Sequence, residues 1–177
     1  STSRRQRQMC IRDRTYAENL YMDELSGLYN RRYLNAVLFE RKFTKCKSLY
    51  GIMMDVNAFK YINDNFGHNM GDKAICTLGN ILFRSIPAAG MAIRYAGDEF
   101  IVLLSDVEEE SVLATMKEIH NNLSRFNESG IEPFTLSVAM GYAEFGAEDD
   151  AEVFLMHMDE KMYEEKRKYH LLKNSDN

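Results

Sequence analysis

The chain has 177 residues, of which 45% are hydrophobic and 28% charged, and a formal charge of −5. That is one domain with a short appendage and enough apolar residues for a single core, which excludes disorder, a collagen-like repeat and a disulfide-stapled miniprotein. Three cysteines (Cys10, Cys46, Cys76) form no CxxC pair, no run approaches about 18 apolar residues, and no signal-peptide pattern opens the chain. A reduced, soluble, cytoplasmic domain without direct membrane insertion is the expectation. Residues 1–14 hold five arginines and one aspartate, so the remaining chain carries −9. Such a body is a poor nucleic-acid binder, and handling a polyanion would require metal ions or a few aimed basic groups.

The basic opening shows no apolar periodicity and reads as a linker, with a basic membrane-surface or RNA-binding arm as the alternative, followed by a short helix over Arg14–Met22. Gly27 and Asn30 signal a turn, and a helix fits Arg31 to about Lys45 through Leu34, Val37, Leu38 and Phe43. The apolar run Ser48–Val56 is too short for a helix and reads as a buried strand ending at an aspartate. Asn57–Phe66 looks helical, Gly67 to Gly71 breaks it, and Asp72 is expected to cap a helix that Pro87 closes. Met91–Tyr95 and Phe100–Leu104 read as a hairpin. Val112, Met116, Ile119, Leu123 and Phe126 mark an amphipathic helix, and Phe134–Ala143 alternates as a half-buried strand. A last helix covers about Ala151 to Leu172. Four strands among helices predict an α+β fold, a mostly antiparallel sheet flanked by helices.

Asp55 is the sharpest single residue, because an ionised carboxylate at the end of an apolar strand needs a partner if buried. It reads either as a cap for the following helix or as a ligand. Asp98 and Glu99 are adjacent acids in a tight turn, which repel unless a cation lies nearby; an ordinary surface turn is the competing reading. If the strand lies beside the hairpin, Asp55 and Asp98 converge with a backbone carbonyl on an oxygen-rich site suited to Mg²⁺. Lys60 reads as a phosphate contact or a solvated lysine. Asn63 and Asp72 fit the guanine edge, and equally fit helix termini. His68, His120, His157 and His170 show no HExxH spacing, and GxSxG, GxGxxG and GxxxxGK[ST] are absent.

These segments together resemble the GGDEF domains, the diguanylate cyclases. DELSGLYNRR (23–32) resembles their DxLTxLxNRR opening and DVNAFK (55–60) their DIDxFK segment. NDNFGHNMGD (63–72) is similar to NDxxGHxxGD, and RYAGDEF (94–100) to the signature RYGGDEF hairpin. Asp159, Tyr163 and Lys166 match the pattern of the family's final helix. The resemblance implies a palm-like nucleotide-cyclase fold over 23–172, preceded by a basic stub and linker helix (1–22) from a truncated upstream region and followed by a tail (173–177). It implies condensation of two GTP into cyclic di-GMP by two copies facing head to tail, with an upstream sensor as a further partner. Asp55, the Val56 carbonyl, Asp98 and Glu99 would hold Mg²⁺, with Mn²⁺ as a substitute. Asp98, Glu99 and Lys60 would act in catalysis, Asp98 taking the proton of the 3′-hydroxyl. Phe59, Asn63, His68, Asp72, Arg94 and Lys166 would bind substrate, Lys166 at the triphosphate.

Five positions depart from the family pattern: Ala96 for the first signature glycine, Asn57 for the second acid of DIDxFK, His170 for an arginine, and Pro87 with Gly90 where RxxD marks the product-inhibition site. Feedback inhibition through that primary site is therefore not expected. The alternative reading is a degenerate domain that binds GTP or a partner as a regulatory module.

Overall fold

The computed structural model describes residues 20–39, 46–147 and 149–175. Its elements are β1 (Tyr29–Asn30), α1 (Arg31–Phe39), β2 (Leu49–Val56), α2 (Phe59–Phe66), α3 (His68–Ser85), β3 (Met91–Arg94), β4 (Glu99–Ser105), α4 (Glu109–Glu128), β5 (Val138–Glu144) and α5 (Ala151–Ser175). The strands form one sheet in the order β1-β3-β4-β2-β5, in which only the β1–β3 pair is parallel. The expected α+β architecture is borne out, with a fifth strand that two residues of sequence could not announce.

Every residue of β2 is buried, because the strand is paired on both edges and covered on both faces. Alternation assigns the faces. Ile52, Met54 and Val56 join Phe100, Val102 and Leu104 under Ile75, Leu78 and Leu82 of α3 and Val112, Ile119 and Leu123 of α4. Leu49 and Met53 join Ile101 and Leu103 under Leu34 and Val37 of α1 and Phe154, Met158 and Met162 of α5. Asp55 and Glu99 thus fall, by parity, on the face that α5 covers.

Two glycines let α5 lie close to that face. A methyl at Gly51 would strike Met158 Sδ and Phe154 Cζ, and one at Gly141 would strike the α5 backbone at Met162. Register places Gly141 opposite Met53 and Ala139 opposite Asp55. The stripe Met158, Met162, Lys166 therefore advances along α5 as Gly51, Met53, Asp55 advances along β2.

Several boundaries differ from the sequence reading. Asp72 does not cap a helix: α3 already begins at His68, because Gly67 alone reverses the chain at φ 85°, ψ 161°. Its carbonyl accepts the amides of Met70 and Gly71 at 3.0 and 3.2 Å, which starts the new helix. The β5 strand starts at Val138, not Phe134, since the Asn127 side chain both accepts from Leu136 N and donates to Leu136 O, each at 2.8 Å. Asn127 thus replaces the ladder partner that the alternating pattern invites. The expected helix over Arg14–Met22 lies outside the described residues up to 19; at 20–22 the chain turns and Met22 bridges Tyr29. The end of the helix expected to reach Lys45 also lies outside them.

Candidate active site

The site is built on the end of the sheet where β2 finishes beside the β3–β4 hairpin. Asp55 stands directly opposite Glu99 in the antiparallel ladder. Like charges facing each other across strands destabilise a sheet, so this pairing is one that folding alone would not select. Asp98 sits in the preceding turn, its carbonyl accepting Val56 N at 3.1 Å, which ties the end of β2 to the hairpin.

Asp55 is 5% exposed, and Lys166 Nζ from α5 lies 2.8 Å from its Oδ1. That oxygen is neutralised by the ammonium but has no donor aligned on it in hydrogen-bond geometry. Burial and then the Asp55 charge push the Asp98 carboxyl up, against its own backbone hydrogen bond, Lys166 and Arg94. Burial also pushes Glu99 up, aided by Asp55, Asp98 and Asp159 and opposed by Lys166. The four acids thus share one excess of negative charge, with Asp159 joining from α5. Among the described residues no group of three or more His, Cys, Asp or Glu side chains is arranged to hold a metal ion by itself. The buried oxygen of Asp55 without an aligned donor and the hard oxygen donors beside it still fit a divalent cation whose shell is completed by water and phosphate.

Arg94, expected among the substrate contacts, is held within the protein. Its Nε and Nη2 donate to Gly97 O at 3.1 and 2.8 Å, and Nη1 reaches both oxygens of Asp23 at 3.2 and 3.3 Å. Asp23 also accepts Ser26 N and Ser26 Oγ at 2.8 and 2.7 Å. Burial raises its pKa, but the Ser26 bonds and Arg94 outweigh that and hold it below the ordinary value. Asn30 caps α1 by accepting Tyr33 N at 3.1 Å, while its amide donates to Leu20 O and Met22 O. The DELSGLYNRR segment is therefore a brace between the chain entering the domain and the signature hairpin.

The second part of the site is the turn between α2 and α3. Lys60, His68 and Asp72 are exposed, and Phe59 and Asn63 are half-buried. A methyl at Gly71 would collide with Asn63 Oδ1, so this glycine lets Asn63 lie against α3 one residue from Asp72. Lys73 pairs with Glu132 at 2.7 Å and ties the same turn of α3 to the loop before β5. Ala58, ahead of α2, takes φ 55° and turns the chain out of β2 toward Lys60.

Ala96 and Asn57 sit without backbone strain. Ala96 does not need a glycine conformation: among the described non-glycine residues only Ala58 and Asp106 have positive φ. Asn57 is buried and donates to Ser137 Oγ at 3.2 Å, while its Oδ1 has no hydrogen-bond partner. The side chain of His170 lies outside the described residues. A groove of about 540 Å³ along β5 and α5, lined in part by Met116, Tyr142, His157 and Lys161, contains none of the expected site residues.

The sequence pattern did not announce the Arg94–Asp23 brace or the Lys166–Asp55 pair. Both join residues 71 or more positions apart, and only the motif resemblance had brought them to one list.

A mixed sheet with helices on both faces, an acidic hairpin at one strand end and a glycine-hinged helix pair beside it is the cyclase fold. The chain belongs to the diguanylate cyclase, GGDEF domain family, whose model matches residues 20–170. Diguanylate cyclase DosC of Escherichia coli strain K12 is 31% identical over 153 residues, which cover 83% of this chain and 33% of that protein. The chain thus spans about a third of the length of such relatives. Among solved structures, diguanylate cyclase SiaD of Pseudomonas aeruginosa in complex with its activator SiaC superposes with a TM-score of 0.76 at 23% identity, covering 94% of this chain and 66% of that one. The GGDEF domain of DgcB from Caulobacter crescentus in complex with c-di-GMP gives 0.73 at 24% identity, covering 83% and 90%. No helix among the described residues is long and apolar enough to cross a membrane.

Proposed function

We propose that this chain is one catalytic half of a diguanylate cyclase, which joins two GTP molecules into cyclic di-GMP when two copies face head to tail. The observation that carries this reading is the placing of Asp55 against Glu99, with Asp98 beside them, at a buried sheet end. In each half the 3′-hydroxyl of one GTP attacks the α-phosphate of the other. A P–O bond forms to that hydroxyl, the α–β phosphoanhydride breaks, and pyrophosphate leaves with the bond's electron pair. Asp98 takes the hydroxyl proton, a task suited to a carboxyl held above its ordinary pKa.

Asp55, Glu99, Asp98 and the Val56 carbonyl would hold Mg²⁺ or Mn²⁺, which when bound neutralises triphosphate charge and acidifies the hydroxyl. Asn63 and Asp72 meet the guanine edge, with Phe59 and His68 around the base. Lys60 and Lys166 stabilise the phosphates as charge moves onto the leaving group. Arg94 positions the hairpin through Gly97 O and Asp23 rather than touching the reacting atoms.

The test is incubation of the chain, fused to a dimerising coiled coil, with GTP and Mg²⁺. Cyclic di-GMP should form and vanish in Asp98→Ala. GTP binding by calorimetry with no product in the fused dimer overturns this reading in favour of a regulatory GTP-binding module.

A further inference from the structure

The lysine on Asp55 does something that phosphate binding alone does not require. We infer that Lys166 is a built-in counter-ion that competes with the divalent cation for Asp55, so that lysine and metal hold this carboxylate in turn. The inference rests on the proposed reading of Asp55 as a metal ligand and adds a control on when the metal is accepted.

The two partners differ in freedom. Asp55 lies on a strand bonded on both edges and its side chain is 7% exposed, so the carboxylate is fixed. The Lys166 side chain is 31% exposed and has an unbranched stem from α5, so its ammonium can swing outward. The contact is also incomplete: Nζ lies at 2.8 Å, yet Oδ1 has no aligned donor. The oxygen is neutralised while its capacity to coordinate is unused.

Charge makes the role necessary. A buried carboxylate left without a partner is strongly destabilising. Asp98, Glu99 and Asp159 all add negative charge at this sheet end. Arg94 also faces Asp98, but its guanidinium is bound to Asp23 and Gly97 O. Among the described residues Lys166 is thus the cation of this cluster that can move. A divalent ion brings twice the charge and direct coordination, and it releases the ammonium for an incoming triphosphate. Metal without nucleotide must displace the lysine, whereas metal with nucleotide gives the lysine a new partner. The two ligands consequently bind cooperatively.

Mn²⁺ binding to the whole chain, followed by electron paramagnetic resonance without nucleotide, tests this. Removing one partly screened charge in Lys166→Met should tighten Mn²⁺ binding about tenfold, and Lys166→Arg should behave as the parent. Adding Asp55→Asn to Lys166→Met should abolish the gain. Equal or weaker Mn²⁺ binding in Lys166→Met, with binding still lost in Asp55→Asn, overturns the competition and leaves the metal site standing. Mn²⁺ binding that is unaffected by Asp55→Asn, with or without GTP, overturns the metal reading and the inference together. A melt gives an independent reading. In EDTA Lys166→Met should unfold at a lower temperature than the parent, and Mg²⁺ should raise its midpoint by more degrees. Equal Mg²⁺ shifts in the two proteins also overturn the competition.

Discussion

The two halves of the site are held by different means. The acidic end, with Asp55, Asp98 and Glu99, is fixed by strand register, sits partly or fully out of water, and is electrostatically at odds with itself. The turn between α2 and α3, with Asn63, His68 and Asp72 proposed to meet the base, is largely exposed and fixed by backbone conformation at Gly67 and close approach at Gly71. Proton and phosphate chemistry needs charges placed to a fraction of an ångström in low dielectric, which a sheet provides. Recognition of a flat base needs a few polar groups on a surface it can enter and leave, which two helix ends provide. Damage to the first half should therefore appear in turnover and damage to the second in substrate affinity.

The largest expected effect tests the first half. Asp98→Asn should lower the rate of cyclic di-GMP formation by about 10²–10⁴-fold with little change in GTP affinity. The same variant should be more stable than the parent at pH 7, by a few tenths to about 1 kcal/mol once solvent screening is allowed for. The sign follows from linkage: the folded pKa of Asp98 is raised, so its charge opposes folding at neutral pH and the penalty fades as pH falls toward its ordinary value. Urea denaturation of both proteins between pH 7 and pH 4 should show the gap closing with acid.

Gly67→Ala tests the second half. Its φ of 85° with ψ of 161° belongs to glycine, so alanine should cost roughly 1–3 kcal/mol and raise the KM for GTP more than it lowers kcat. An equal loss in both parameters would break the division between the halves. Gly141→Ala should press α5 off the sheet, destabilise by about 1–3 kcal/mol and weaken the Lys166–Asp55 contact, so that kcat falls more than affinity. The smallest effect is Ala58→Gly, which relieves a left-handed alanine and should stabilise by about 1 kcal/mol while leaving KM within twofold.

Most of the framework was legible because it is written in local periodicity. β2 is a continuous apolar run and α4 a clean amphipathic stripe, and both lie where the sequence puts them. The helix break at Gly67 is legible as glycine, but the sequence extends it four residues too far, since Asp72 looks like a cap when its neighbours are unseen. Phe134 and Leu136 kept their buried places although the strand begins later, because burial is read from hydrophobicity and ladder bonding is not. The site was legible mainly through motif resemblance. Neither the facing of Asp55 and Glu99 nor the arrival of Lys166 follows from any local pattern, since both depend on register between distant segments.

The run of α5 beside β2 has a mechanical consequence. Four helical residues rise about 6.0 Å, while two strand residues rise about 6.6 Å, so the two elements work as a slightly mistuned pair of rulers. From Met158 at Gly51 to Lys166 at Asp55 the mismatch accumulates to about 1 Å, which a long flexible side chain absorbs and a short one would not. One residue inserted anywhere in that helical stretch would rotate Lys166 by about 100° and leave Asp55 facing a different side chain altogether. The spacing of the last helix is thus a length standard for the candidate site, kept in the core by methionines and read out at Asp55 by a lysine.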